Sequence, residues 1–281
     1  MNYIFRAVYK RPELLELSLK TQIEGYGADK YATVFAVDGG YDEKVLELVN
    51  DFPLPKEVII RDSNWGLNRN NLEGIKMLMD RTDDFVISLE DDSITTKDFF
   101  KFLEYCYDNF VNKDTAGIAG YPSLYANPKD ELTSVVRRTW MTCHGYLLIK
   151  EPFNKYLREH CNEEYYKDNA KYLKNLFGRD IRPLAFDSLA YQLFKKYNLH
   201  FLFPLCSRAA ITGFYGGANL RSGKMEKLNY EERKKELESK LVNYLMGPGN
   251  MVEDVLNNKY IKKWDKLTMV DTDITKIGEI K

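Results

Sequence analysis

Residues 84–92 read Asp84-Phe85-Val86-Ile87-Ser88-Leu89-Glu90-Asp91-Asp92, an apolar run that ends in three consecutive carboxylates. Phe85, Val86, Ile87 and Leu89 do not alternate with polar residues, as expected of a strand buried on both faces in a parallel sheet. The acidic triplet then falls at the strand's carboxyl end, the edge where open α/β sheets hold their ligands. Hard carboxylate oxygens there suit Mn²⁺ or Mg²⁺, which take one or two carboxylates and complete their shell with water and phosphate oxygens. A simpler reading makes the triplet a solvated acidic turn ahead of the next helix, with Thr95 or Thr96 as N-cap.

Working outward, the first hundred residues alternate strand and helix signals at the spacing of βα units. Strand signals cover Tyr3 to Val8, Ala32 to Val37, Glu57 to Arg61 and the Phe85 run; helix signals cover Pro12 to Glu24, Tyr41 to Asn50, Asn68 to Met79 and Phe99 to Phe110. Pro12 suits a first helical position, and Leu14, Leu15, Leu17, Leu19 and Ile23 supply the apolar stripe behind it. From Ala116 the runs shorten, to Ala116 to Tyr121, Ser134 to Thr139 and Tyr146 to Ile149, which points to mixed or antiparallel strands. Glu151 to Phe177 reads as helical, Asp187 to Tyr197 as another helix, and His200 to Leu205 as a short strand. Gly213 to Gly223 is a glycine-rich loop, and Tyr230 to Leu245 a charged helix. The tail after Gly249 reads as a peripheral helix followed by weakly structured residues. The fold class expected is α/β, a mostly parallel central sheet flanked by helices, with a smaller mixed-sheet half.

A chain of 281 residues with 44% hydrophobic content can bury such a core without covalent staples. Cys106, Cys143, Cys161 and Cys206 are too scattered for a zinc pattern, so reduced thiols and a cytoplasmic location are expected. The amino terminus leads directly into a strand, and no stretch reaches the roughly 20 apolar residues of a membrane span. A net charge of −1 supplies no broad attraction for nucleic acid.

Three loops share the carboxyl edge of this sheet: Tyr9-Lys10-Arg11-Pro12, Asp38-Gly39-Gly40 and Glu90-Asp91-Asp92. Each has a task around a nucleoside diphosphate. The planar fork of Arg11 can hold a phosphate or a base edge. Asp38 can accept from a uracil imide or a ribose hydroxyl, and Asp92, with Asp91 or Glu90 through water, can hold the cation.

This order of elements, with Asn64-Trp65-Gly66-Leu67 after the third strand and Asp98-Phe99-Phe100 after the acidic triplet, resembles the GT-A glycosyltransferases. Among them it is most similar to the eukaryotic N-acetylglucosaminyltransferase I group, with Glu90-Asp91-Asp92 matching its variant of the Asp-X-Asp motif. The likeness continues through Gly145-Tyr146-Leu147-Leu148, Ala185-Phe186-Asp187 and Ser207 to Phe214; it covers roughly residues 2 to 223, with Asn162 to Arg182 poorly matched. The resemblance implies a catalytic domain over 1–223, with a nucleotide-binding half to about 115 and an acceptor half beyond, and a helical extension over 224–281. It implies inverting transfer of N-acetylglucosamine or another hexose from a UDP-sugar to an acceptor hydroxyl, with Mn²⁺ or Mg²⁺ as cofactor. Asp92 would be the metal ligand and Asp187 the catalytic base; as a plain residue, Asp187 is the cap or first turn of its helix. Arg11, Asp38, Gly39, Asn64, Glu90, Asp91 and Arg221 would contact the donor nucleotide. The Gly213 to Gly223 loop would close over it, and His144, Gly145 and Tyr215 would face the donor sugar or acceptor.

Animal members of that group carry a membrane anchor and stem, whereas this chain begins at the catalytic domain, which leaves the acceptor open: a glycan, a protein, a small molecule or a hydroxylated base in DNA. The DNA reading would draw on Arg137, Arg138, Lys224 and Arg233-Lys234-Lys235, although the lysines of that helix alternate with Glu231, Glu232, Glu236 and Glu238 as on a solvated face. A sugar-nucleotide or glycan-binding module on the same fold is the non-catalytic alternative. No P-loop of the form ending Gly-Lys-Ser/Thr is present.

Overall fold

A computed structural model of the chain describes residues 1–121, 134–142, 144–182, 186–213, 228–241 and 268–269. Four βα units come first: β1 (Tyr3–Val8) and α1 (Pro12–Ile23), β2 (Ala32–Val37) and α2 (Glu43–Asp51), β3 (Lys56–Ile60) and α3 (Gly66–Arg81), then β4 (Phe85–Ser88). A short strand β5 (Ser93–Thr95) intervenes before α4 (Phe99–Phe110). Consecutive residues of β1, β2 and β4 enter opposite layers, which is why these sequences are mostly apolar, whereas β3 at the sheet edge is partly exposed. Phe5, Val34 and Ala36 pack with Leu72, Ile75 and Leu78 of α3 on one face. Val8, Phe35 and Val37 meet Leu15, Val45 and Val49 of α1 and α2 on the other, where Ile4 and Ile87 also pack with Phe99 and Phe102 of α4. Gly74 lets α3 lie flat on β1, since a Cβ there would overlap the Phe5 ring.

The chain continues as β6 (Thr115–Ala119), β7 (Ser134–Arg138) and β8 (Tyr146–Ile149), then α5 (Lys150–Pro152), α6 (Glu163–Lys167), α7 (Asn169–Phe177) and α8 (Phe186–Lys196). Last come β9 (His200–Pro204), β10 (Ala209–Ile211), α9 (Tyr230–Leu241) and β11 (Thr268–Met269). Nine strands form one sheet in the order β11-β7-β9-β6-β8-β4-β1-β2-β3. Pairing is parallel from β4 through β1 and β2 to β3, and antiparallel where β8 joins β4 and β6. The α/β class with a largely parallel sheet is as the sequence indicates, and the mixed strands extend the same sheet.

Two differences have local causes. The span expected as one helix over 151–177 passes through a π-turn at Phe153–Leu157 and a 3₁₀ turn at Arg158–His160, then restarts twice. At each restart a polar side chain captures the backbone: Asn162 accepts from the Tyr165 N–H and Asp168 from the Lys171 N–H. The second difference is the antiparallel pair of β5 and β10, with Ile94 opposite Ala210. Thr95 therefore lies in a strand, and Asp98, not Thr95 or Thr96, occupies the cap position of α4, where it makes no capping bond of its own. The tail, read as helical and then weakly structured, contributes β11, which pairs with β7.

The carboxylate of Asp98 instead forms a fully buried ion pair with Arg208, at 3.0 Å, and accepts from the Thr96 hydroxyl. This pair fastens the segment before β10 to the start of α4. On the outer face of α1, Lys234 pairs with Glu16, and Arg233 with Glu13 and Asp42. Arg233 and Lys234 thus dock α9 on that helix, with Leu237 against Leu14.

Replacing Asp98 with Ala would leave the Arg208 charge buried without its partner, a loss of about 3–5 kcal/mol expected in urea unfolding. The paired change Asp98→Leu with Arg208→Met should recover most of that loss.

Candidate functional site

The chain lays β2 and β3 to one side of β1 and β4 to the other, so the strand order reverses between β1 and β4. A crevice opens at the carboxyl ends of strands at such a reversal. Register sets its depth: Phe5 lies opposite Ser88, and the Leu89 N–H donates to the Phe5 carbonyl, so the acidic turn begins level with Arg6.

Arg6 is fully buried beneath that turn. Its Nη1 donates to the Glu90 carbonyl at 3.0 Å and to Ser18 Oγ at 2.8 Å, and its Nε to Gln22 Oε1 at 2.7 Å. Ser18 Oγ in turn donates to the Ser93 carbonyl, so α1 grips both ends of the turn. Burial lowers the Arg6 pKa to about 9, against the pull of Asp91 and Asp92; the group stays charged at neutral pH. This residue was missed in the sequence, where the available signal was a lone cation inside an apolar strand.

Arg11 closes the turn from above. Its Nε donates to Asp91 Oδ2 at 3.0 Å, its Nη1 to Asp92 Oδ2 at 3.0 Å, and its Nη2 to Asp91 Oδ1. Burial opposes its charge, but the two aspartates outweigh that and raise its pKa. Burial also raises the pKa of Asp91, with Arg11 opposing. The rise is larger at Glu90, where burial is followed by repulsion from Asp92, Asp91 and Asp187. Asp92 Oδ1 is buried and has no hydrogen-bond partner. Thr212 donates to the Asp92 carbonyl through both its N–H, at 3.0 Å, and its hydroxyl, at 3.1 Å. The next residue must be small, because a Cβ on Gly213 would overlap the Asp92 carboxylate.

The loop after β2 is interlocked with the loop after β3. Asp38 accepts from the backbone N–H of Gly39 at 3.0 Å, Trp65 at 2.7 Å and Gly66 at 2.9 Å. It caps α3 from a distance, satisfying donors that the helix start leaves open. A Cβ on Gly39 would overlap the backbone of Ser63. Asn64 bridges from this loop to the first, donating to the Tyr9 hydroxyl at 2.8 Å. The Trp65 ring carries the Arg61 and Arg69 guanidiniums at 4.0 and 4.6 Å from its centroid.

Asp187 stands in the first turn of α8, near enough to Glu90 for its charge to raise that group's pKa. Burial lifts the Asp187 pKa to about 6, opposed by the backbone N–H groups of Ser188 and Asp187. Its Oδ1 is buried without a hydrogen-bond partner. His144 packs edge-on against Tyr121, at 5.4 Å between centroids, and burial lowers its pKa to about 4, so the ring is neutral. Gly145 takes φ +67°, and its carbonyl accepts from the Gly120 N–H. Arg221 and Tyr215, like the loop from 214 onward and Lys224, lie outside the described residues.

A divalent cation fits here only in part from the protein. Among the described residues no group of three His, Cys, Asp or Glu side chains is placed to hold a metal ion. The free, buried Asp92 Oδ1 is a hard oxygen ligand, and ions of the Mg²⁺ type accept as few as one carboxylate when water and phosphate supply the rest. The residues present therefore fit a cation that arrives with a phosphate-bearing ligand.

The sequence matches no protein-family model and no curated protein. Among solved structures, the chain is similar to mouse xyloside xylosyltransferase 1 in its apo form, at 12% identity over 72% of this chain and 84% of that one, with a TM-score of 0.42. It is also similar to S. aureus TarS 1–349, at 11% identity over 84% of this chain and 69% of that one, with a TM-score of 0.44.

Because the folded pKa of Asp187 lies above the usual aspartate value, its neutral form is the one the fold favours. Any stability this group contributes is full below about pH 4 and lost as pH rises through 6. Asp187→Asn should therefore be more stable than wild type at pH 8, by up to about 3 kcal/mol, with the difference vanishing near pH 4 in urea unfolding. Equal stabilities across that range would show a hydrated, ordinary carboxyl.

Proposed function

We propose that the protein is a GT-A glycosyltransferase that moves a sugar, N-acetylglucosamine or another hexose, from a UDP-sugar to an acceptor hydroxyl with inversion. The observation that carries this reading is the pairing of two unlike acidic sites in one crevice. One is the Glu90-Asp91-Asp92 turn with its two arginines, and the other is Asp187, buried and only weakly acidic.

Inverting transfer needs one carboxylate to take the acceptor's proton as its oxygen attacks the anomeric carbon, and a means of stabilising the departing diphosphate. Asp187 is suited to the first task. With a pKa of about 6 it is ionised at neutral pH yet more basic than an exposed aspartate, and its Oδ1 lacks a partner that would compete for the proton. Arg11 supplies a planar fork for phosphate oxygens. Asp92 would hold Mn²⁺ or Mg²⁺, with Asp91 and Glu90 nearby; bound there, the ion would neutralise charge on the leaving diphosphate. Asp38, Gly39 and Asn64 build the wall beside which the nucleoside would lie, and His144 and Gly145 border the sugar side as a neutral surface.

Thermal-shift binding of a nucleotide-sugar panel, with Mn²⁺ or with EDTA, tests the donor site. UDP and one UDP-sugar should stabilise the protein only with the metal, and Asp92→Ala should abolish the shift. Asp187→Ala should keep that shift while transfer falls by about 10²-fold or more. A protein that binds the donor but shows equal, negligible turnover in wild type and Asp187→Ala would be a binding module.

A further inference from the structure

Three of the four carboxylate oxygens of Asp91 and Asp92 accept hydrogen bonds from Arg11, and the fourth, Asp92 Oδ1, is buried and unpartnered. Without a phosphate, a cation placed at this turn would need, besides Asp92 Oδ1, oxygens that the guanidinium already holds. The two arginines at the turn differ in how firmly they are fixed. Arg6 is fully buried, with Gln22, Ser18 and the Glu90 carbonyl all bonded to it. The Arg11 side chain is 26% exposed and its polar contacts are with the acidic turn. It stands at the cap position of α1, with φ −122° and ψ 63°, where its carbonyl accepts from the Leu15 N–H while its side chain makes no capping bond to the helix.

Resting on the sugar-nucleotide reading above, we propose that Arg11 is the resident counter-ion of the acidic turn and makes cation binding conditional on the diphosphate. A guanidinium fork matches phosphate as well as it matches carboxylate. When a nucleoside diphosphate enters the crevice, Arg11 transfers its fork from Asp91 and Asp92 to the phosphate oxygens, and the freed carboxylates accept the divalent ion. Arg6 stays in place and keeps the turn from opening while the partner above it is exchanged. Cation and diphosphate thus load together, and neither binds well alone. No bond is made or broken in this step; one positive charge on the carboxylates is replaced by another.

The test is Mn²⁺ binding to the full chain, read from the electron paramagnetic resonance of free Mn²⁺, for wild type, Arg11→Met and Arg11→Lys, with and without UDP. In wild type, UDP should raise Mn²⁺ affinity about tenfold or more, and by linkage Mn²⁺ should raise UDP affinity by the same factor. Arg11→Met should bind Mn²⁺ alone about tenfold more tightly than wild type, while UDP adds less than about threefold. Arg11→Lys, which keeps the charge but loses the fork, should fall between, and decides the matter if the Met variant does not fold. Mn²⁺ alone binding no more tightly to a folded Arg11 variant than to wild type overturns the proposal. The variants without UDP read the counter-ion by itself, so failure of the donor reading is separately visible. If calorimetry finds no UDP binding to wild type even with Mn²⁺, the sugar-nucleotide reading falls and the exchange on to phosphate falls with it.

Discussion

Three adjacent carboxylates at the end of a buried strand would repel one another and lose most of their hydration, a cost of several kcal/mol for each charge left without a partner. The fold meets this constraint by bringing two arginines to the same turn from different elements. Arg6 reaches it from within β1 because the β1–β4 register sets Arg6 level with the turn, and Arg11 reaches it because only three residues, the last of them Arg11, separate β1 from α1. Much else follows from holding Arg6 there. Ser18 and Gln22, one turn apart on α1, must be polar and must face inward, and Gln22 is itself held by the Thr33 hydroxyl of β2. A strand, a helix and the neighbouring strand are thus tied to one charged turn through a connected hydrogen-bond network, which in a low-dielectric interior tolerates no missing member.

The far side of the turn is fixed by a different device. β5 follows the acidic residues directly, and its pairing with β10 brings Thr212 and Gly213 over Asp92. The buried Asp98–Arg208 pair holds that second layer in register. The Gly120 carbonyl accepts from Arg208 and Ala209, and its N–H donates to Gly145. The residues singled out in the sequence as Asp98-Phe99-Phe100 and Gly145-Tyr146, and the described part of the last segment, Ser207 to Gly213, therefore meet because they share the task of covering the turn.

The βα units could be read from the sequence because each one carries its own evidence. Pro12 at the start of α1, the glycines after β2 and the mostly apolar runs of β1, β2 and β4 are all local, and those elements lie within a residue or two of their expected bounds. β5 and β10 could not be read, since three residues show no periodicity and their pairing joins positions more than a hundred residues apart. The helix over 151–177 failed for a related reason. Its composition favours helix throughout, but Asn162 and Asp168 bond their own backbone, a competition that averages over a window conceal. At the site, the acidic turn and Arg11 were legible by type and position. The bonds of Asp38 to Trp65 and Gly66 were not, because the spacing of 27 and 28 residues is set by the whole β2–β3–α3 unit.

Asp187 depends on the turn without touching the same network. It comes from α8, and its neighbours include Tyr165 of α6, whose pKa burial raises and the Asp187 charge raises further. It therefore stands between the Tyr165 phenol and the Glu90 carboxylate, and among the described residues no cation shifts its pKa. The acidic turn, by contrast, has cations above and below it. At Asp91 the Arg11 guanidinium opposes the rise in pKa that burial causes, whereas at Asp187 only backbone N–H groups oppose it. The two arginines thus serve the turn and not Asp187, and a substitution that brought a cation near Asp187 would lower its pKa and make it a weaker base while leaving every hydrogen bond of the turn intact.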